Sequence, residues 1–241
     1  MENSKIQVLN DMIKESSRIV FFGGAGVSTE SGIPDFRSAD GIYMMDYKYP
    51  PEEIISRSFF DAHKKEFYEF YKQYFYYPDA KPNITHTKLA ELEKANKLSA
   101  VVTQNIDGLH TEAGSKNVYE LHGSVLRNYC MKCGKFYDIN HIVKSEGIPK
   151  CECGGVVKPD VVLYEESLDG DCIDGAVKAI ENADMLIVAG TSLRVYPAAG
   201  FIRYFRGKNL VLINRDSTEM DSMFGLVIND SLGNVFSKIE I

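Results

Sequence analysis

Apolar positions along the chain fall into two alternating rhythms. Ile6, Leu9 and Ile13 recur at helical spacing in an otherwise polar stretch, which predicts a helix over residues 5–17. Arg18-Ile19-Val20-Phe21-Phe22 follows, a short and nearly unbroken apolar run of the kind found in a strand buried on both faces. Gly23-Gly24-Ala25-Gly26 ends it. Further apolar runs at 100–103, 118–121, 185–189, 210–213 and 226–228 predict strands, and helical patterns lie between them at 86–98 and 174–182. Strands alternating with helices predict an α/β fold, a doubly wound parallel sheet with helices on both faces.

Two stretches break this rhythm. Residues 39–85 hold Pro50-Pro51 and an aromatic-rich helical pattern at 67–77, and residues 126–160 hold four cysteines, several glycines and little periodicity. They are expected to pack together as a smaller helical and zinc-binding module inserted into a larger unit made of 1–38, 86–125 and 161–241. The loop at 38–50 is long for a compact domain, and such loops are often functional or mobile. No repeat or low-complexity segment is visible.

Composition narrows the classes. The 241 residues suit one large domain with an insertion, and 44% hydrophobic with 25% charged residues is ordinary for a globular protein. Lys plus Arg total 27 against 34 Asp plus Glu, a net charge of −7, opposite to that of a general nucleic-acid binder, so no direct nucleic-acid partner is expected. The polar start, Met1-Glu2-Asn3-Ser4-Lys5, lacks the apolar core of a signal peptide, and no run is long enough to span a membrane. A cytoplasmic monomer is expected. In that compartment cysteines serve metals or catalysis more than disulfides.

Five segments carry chemistry. Gly24-Ala25-Gly26-Val27-Ser28 leaves a strand and enters a predicted helix start, where glycines let backbone N–H groups approach a pyrophosphate. Gly32-Ile33-Pro34-Asp35-Phe36-Arg37 follows; Phe36 could shield a reactive ring and Arg37 reach a phosphate or ribose, or the pair Asp35 and Arg37 could simply meet at the surface. Thr103-Gln104-Asn105-Ile106-Asp107 places polar side chains at a strand's carboxyl end, a ligand position in open α/β sheets or an Asx-turn that caps a helix. Glu120-Leu121-His122-Gly123-Ser124 puts a histidine at a strand end, suited to acid–base work or to a structural turn. The other histidines, His63, His86, His110 and His141, read as structural or solvent-exposed. Cys130 and Cys133, then Cys151 and Cys153, are two close pairs separated by the 17 positions 134–150, the pattern of one closed, structural tetrahedral zinc site. Cys172 stands apart and reads as a half-buried hydrophobe.

Gly24–Ser28 together with Gly32–Arg37 resembles the first signature of the sirtuin family of NAD-dependent protein-lysine deacylases, bacterial type, and the later motifs follow in family order over roughly residues 18–236. The resemblance implies a Rossmann-like sheet and a reaction that consumes NAD as co-substrate. An acyl-lysine carbonyl oxygen attacks the ribose carbon as nicotinamide leaves, giving an imidate-like intermediate; a base then deprotonates a ribose hydroxyl, which attacks that intermediate, and water completes the transfer to free lysine and O-acyl-ADP-ribose. Carried over by position, Gly24, Ala25, Gly26, Thr29, Asp35, Phe36 and Arg37 contact NAD, and Gln104, Asn105, Ile106 and Asp107 line the nicotinamide pocket. His122 is the general base, with Asn105 and Asp107 as catalytic partners. Gly190, Thr191, Ser192, Asn214 and Arg215 reach ribose or adenine, and the stretch 230–232 ends the set at Leu232. Val162, Leu163, Tyr164 and Glu165, with Val195, imply an edge on which an acetyl-lysine peptide pairs as an added strand.

Three departures stand out. One residue, not two, separates Cys151 from Cys153. Glu165 stands where the family commonly has glycine, and a carboxylate at 165 or 166 would favour basic residues beside the acyl-lysine. Tyr68-Glu69-Phe70-Tyr71 has Tyr71 where members that prefer acidic acyl groups carry arginine, which implies acetyl or other neutral acyl substrates. Protein mono-ADP-ribosylation and non-enzymatic sensing of NAD or ADP-ribose are the competing readings.

Overall fold

The unbroken apolar runs form the middle of one parallel sheet. A computed structural model describes residues 2–36, 41–44 and 47–241. Arg37 and the boundary expected at residue 38 lie outside the described residues. In chain order the strands are β1 (Ile19–Gly23), β2 (Leu98–Thr103), β3 (Val118–Glu120), β4 (Gly123–Cys130), β5 (Phe136–Tyr137), β6 (Val157–Val161), β7 (Met185–Ala189), β8 (Asn209–Ile213) and β9 (Leu226–Ile228). Six of them make a parallel sheet in the order β3-β2-β1-β7-β8-β9. The other three make a small antiparallel sheet, β5-β4-β6.

Side chains of a strand alternate between faces, and here both faces are covered. Ile19 and Phe21 join a core with Leu9, Ile13, Leu89, Leu92 and Phe236 on one side. Val20 and Phe22 join a second core with Ala176, Ile180, Phe201 and Ile202 on the other. This is why β1 and β7 read as continuous rather than alternating runs. β1 has β2 on one side and β7 on the other, so the chain leaves the centre of the sheet in opposite directions. Such a switch point opens a crevice at the carboxyl ends of the strands.

Helix limits differ from the sequence expectation for local reasons. The first helix spans Glu2–Glu15 rather than 5–17, because Asp184 takes the backbone N–H groups of Ser17 and Arg18. The aromatic helix spans Lys64–Tyr74, not 67–77. Pro78 disfavours helical geometry at Tyr77 and removes a donor. The next helix, Ile84–Lys94, stops short of 98 because Asn96 turns left-handed at φ 58°. Gly170–Asn182 begins four residues before 174, because the Asp169 carboxylate accepts the Cys172 N–H and starts it.

A third core combines both irregular stretches. Phe59, Phe60, Phe67, Tyr68, Phe70 and Tyr71 pack with Val125, Ile139, Ile142, Val157 and Leu163. The antiparallel sheet was not legible as strands, since its β4–β6 register slips between Ser124 and Asn128.

His86 and His110 lie wholly inside, with ring centroids 4.7 Å apart. His86 Nδ1 accepts the Asn83 N–H, while His86 Nε2 and both ring nitrogens of His110 lack a hydrogen-bond partner among the described residues. Burial lowers the pKa of His86 to about 4 and, reinforced by His86, that of His110 to about 3. A depressed histidine contributes stability that is whole above its unfolded pKa and lost as pH falls. The gap between about 4 and the ordinary 6.5 corresponds to about 3 kcal/mol for His86 alone. Urea midpoints should therefore be level above pH 6.5 and fall steeply from there toward pH 4. A His110→Phe chain should lose part of that slope; an unchanged slope would remove the pair as its cause.

Candidate active site and metal site

The loop after β1 rests on the loop after β7. Gly24 N–H donates to Ala189 O at 3.2 Å, and Gly26 N–H to Gly190 O at 2.8 Å. The backbones approach so closely that a Cβ on Gly26 would lie 2.8 Å from Gly190 Cα, and one on Gly190, at φ +60°, 2.6 Å from Val27 N. Only glycine fits both positions. Asn83 braces the loop from the side: its Oδ1 accepts the Thr85 N–H and caps Ile84–Lys94, while its Nδ2 donates to Val27 O and Ser31 Oγ. Phe36 meets Tyr43 and Phe75 edge-on.

His122 sits in the sharp turn between β3 and β4. Gly123 (φ +75°) makes that turn possible, since a Cβ there would fall 1.9 Å from Asp160 O. His122 Nδ1 lies 2.9 Å from Gln104 O. A carbonyl oxygen only accepts, so Nδ1 carries the proton and Nε2 keeps a lone pair. Burial lowers the His122 pKa, with the bond to Gln104 opposing, so the neutral, basic form prevails. Arg127 clamps Glu120, the end of β3, to Asp160 of β6, and so holds both flanks of the turn.

Asn105 Nδ2 donates to Ser28 Oγ at 3.0 Å, and Ser28 Oγ–H donates to Asp107 Oδ2 at 2.7 Å. Asp107 Oδ1 accepts the Leu109 N–H. Burial pushes the Asp107 carboxyl above the ordinary aspartate range, against the bonds from Ser28 and Leu109. Ser28, 1% exposed, was missed as a site residue, although it closes the Gly-x-Gly motif. At the far end, Gln104 Nε2 donates to Thr191 Oγ1, Asn214 Nδ2 to Thr191 O, and Thr191 N–H to Asn214 Oδ1. The carboxyl ends of β2, β7 and β8 are thus stitched together.

One cavity of about 600 Å³ collects these parts. Gly24, Ala25, Gly26, Thr29, Asp35 and Phe36 line it, as do Gln104, Asn105, Ile106, Asp107 and His122. So do Gly190, Thr191, Ser192, Asn214, Arg215 and Leu232, and, on the peptide side, Val162, Leu163, Tyr164, Glu165 and Val195. Arg37 lies outside the described residues. The sequence reading missed the aromatic wall of Tyr74, Phe75, Tyr76 and Tyr77, and Ser231 beside Leu232. Tyr68 and Tyr71 are not part of the lining. Tyr68 is fully buried and its hydroxyl donates to Val157 O, while Tyr71 packs between Phe67 and Phe75.

Glu165 and Glu166, the carboxylates expected to favour basic neighbours of the acyl-lysine, differ in their partners. The Glu165 carboxylate accepts Ser58 N–H and Ser58 Oγ–H, and Glu166 accepts from Arg57, Lys158 and Leu163 N–H. Glu166 is thus paired with two cations, whereas the Glu165 carboxylate keeps its charge at the exposed surface, held by neutral serine groups.

The cysteine pairs converge. All four Sγ atoms lie within 4.8 Å of one another, with Cys130–Cys153, Cys133–Cys153 and Cys133–Cys151 at 3.5, 3.5 and 3.6 Å. Four thiolates about 2.3 Å from a tetrahedral zinc stand about 3.8 Å apart, so the set fits that ion. The one-residue spacing closes through Gly154 N–H to Cys151 O and Cys151 N–H to Gly155 O, both 2.8 Å. Tyr137 O–H donates to Cys151 Sγ, and neither His141 nor Glu152 joins the cluster.

A model of the Sir2 family matches residues 24–197. An NAD-dependent protein deacetylase of Clostridium perfringens is 61% identical, over 98% of this chain and 99% of that protein. One of Clostridium acetobutylicum is 59% identical, over 98% of each chain. Among solved structures, a Sir2 complex with a p53 peptide and NAD+ superposes with a TM-score of 0.86 at 37% identity, covering 97% of this chain and 96% of that one.

Proposed function

The chain belongs to the Sir2 family and is an NAD-dependent protein deacetylase with a structural zinc, and from this premise we propose which of its residues carry the reaction. Acetyl groups leave protein lysines, and nicotinamide and O-acyl-ADP-ribose are the other products. The observation that carries the assignment is the fixed tautomer of His122. With Nδ1–H held by Gln104 O, the Nε2 lone pair belongs to a residue of the cavity wall and takes the proton of a ribose hydroxyl. Asn105 and Asp107, joined through Ser28, orient the ribose and the nicotinamide carboxamide. Ala25, Phe36 and Ile106 enclose the nicotinamide ring and keep water from it. The Gly24–Gly26 backbone and Thr29 receive the pyrophosphate; Thr191, Ser192, Asn214, Arg215 and Leu232 hold the adenosine half. The zinc, closed by four thiolates, supplies structure and no open coordination position.

The substrate peptide pairs as a strand between the 162–165 segment and Val195, with the acyl-lysine entering the cavity. The acyl group is neutral. Phe36, Ile42, Ile55, Phe75, Val125 and Leu163 give that region an apolar wall, and the cations among the described lining residues, Arg194 and Arg215, come from the loops after β7 and β8. The larger unit of 1–38, 86–125 and 161–241 binds NAD, and the smaller, 39–85 and 126–160, shapes the acyl end, consistent with the shared third core. No helix among the described residues is long and apolar enough to cross a membrane. The acidic balance supports a monomeric enzyme with no nucleic-acid partner.

Mass spectrometry of an acetylated peptide incubated with the protein and NAD tests the reading. The expected result is loss of the acetyl group with release of nicotinamide and O-acetyl-ADP-ribose. Addition of ADP-ribose to the peptide without loss of acetyl would replace it with the transferase reading.

A further inference from the structure

Glu165 has a left-handed backbone, φ +73°, which side chains other than glycine rarely adopt. Its conformation is held from outside the cavity. The carboxylate bridges to the first turn of the helix Arg57–Ala62, accepting Ser58 N–H at 2.8 Å and Ser58 Oγ–H at 3.0 Å. The neighbouring backbone runs along the same segment: Tyr164 N–H donates to Ile55 O at 3.0 Å, and Arg57 N–H donates to Tyr164 O at 2.9 Å. On the inner side, Val162 N–H donates to His122 O at 3.0 Å. The 162–165 segment therefore hangs between the turn of the base and the 55–58 segment.

We propose that Glu165 is a positioning residue for the peptide substrate, a latch that holds the 162–164 edge in the register an incoming strand needs. The proposal rests on the reading that this edge receives the peptide. A flexible glycine would leave the edge free to choose its own geometry; here a charge-assisted bond to a helix start does the holding. The side chain touches neither NAD nor the acyl group in this role. Its loss therefore acts on peptide recognition and not on the chemical step.

Steady-state kinetics of Glu165→Ala, Glu165→Gly and Glu165→Gln, each with the peptide and NAD varied in turn, test this. For the alanine and glycine chains the peptide KM should rise about fivefold, the weight of one partly solvated charged bond. The NAD KM and kcat at saturating peptide should stay within about twofold by the same measure. Glutamine, which keeps an acceptor oxygen, should restore most of the loss. Glycine relieves the left-handed strain, so its Tm should be no lower than that of the alanine chain while its peptide KM is as poor; a role in stability alone would not separate the two. A parallel rise in NAD KM, or unchanged peptide KM in both chains, overturns the latch. A peptide N-methylated on the amides beside the acetyl-lysine separates this from the reading beneath it. If wild type binds that peptide as well as its parent, strand pairing fails and the latch with it. If N-methylation weakens binding but Glu165→Ala does not, the latch alone fails.

Discussion

Replacing His122 with alanine is expected to lower deacetylation by about 100- to 10,000-fold, the usual share of a positioned general base. The loss should fall on kcat, since the loop that rests on Gly190 and the stitched ends of β2, β7 and β8 do not involve the imidazole. NAD binding, followed by calorimetry, should persist. Residual deacetylation within about tenfold of wild type would remove His122 from the base role. The wild-type pH profile gives a second check. Burial lowers the His122 pKa, and only the neutral ring can accept a proton. The acid limb of kcat/KM should therefore lie below the ordinary histidine value of about 6.5. A limb at or above that value would mean that another group titrates.

Loss of the zinc is the second large effect. Cys130 and Cys151 are buried in the third core, and Cys130 is the last residue of β4. The same strand begins at Gly123, next to His122, and β6 leads directly into Val162. Cys151→Ser should abolish binding of about one zinc per chain and cost several kcal/mol of stability, because metal binding in such sites is folding free energy. Deacetylation should fall with it, although the metal takes no part in the chemistry, since both the base and the peptide edge hang from that sheet. NAD binding should suffer less, because the parallel sheet has its own two cores. Metal analysis, Tm and activity read on the same sample decide the matter. A chain that keeps a full equivalent of zinc and an unchanged Tm would break the four-thiolate assignment.

Much of this site was legible because its chemistry is local in sequence. Gly24-Ala25-Gly26, Gln104–Asp107 and Leu121-His122-Gly123 each follow a strand and so arrive at one edge of the sheet. The cysteine spacing was sufficient for the metal site, and the one-residue gap was absorbed by a tight turn at Gly154 and Gly155. Glu165 shows the opposite case. Its identity suggested a charge presented to substrate, while its left-handed φ and the bonds it accepts from Ser58, invisible in the sequence, tie that exposed carboxylate to the helix Arg57–Ala62. The aromatic helix is similar: periodicity marked a buried stripe, but Pro78 ended the helix early and sent Tyr74–Tyr77 to the cavity wall.

The sequence by itself determined the parallel sheet, the order of its motifs, the residue types at the reacting centre and the zinc ligands. These follow from side-chain periodicity, glycine placement and short spacings, all properties of neighbours along the chain. Tertiary structure alone decided which nitrogen of His122 is basic, that Ser28 links Asn105 to Asp107, that His86 and His110 are buried side by side, and that Glu165 bonds to Ser58. Each depends on atoms brought within a few ångströms by crossovers: Ser28 and Asp107 are 79 residues apart, and Ser58 and Glu165 are 107. Hydrogen bonds and desolvation act over those distances in space, and no pattern of neighbours encodes them.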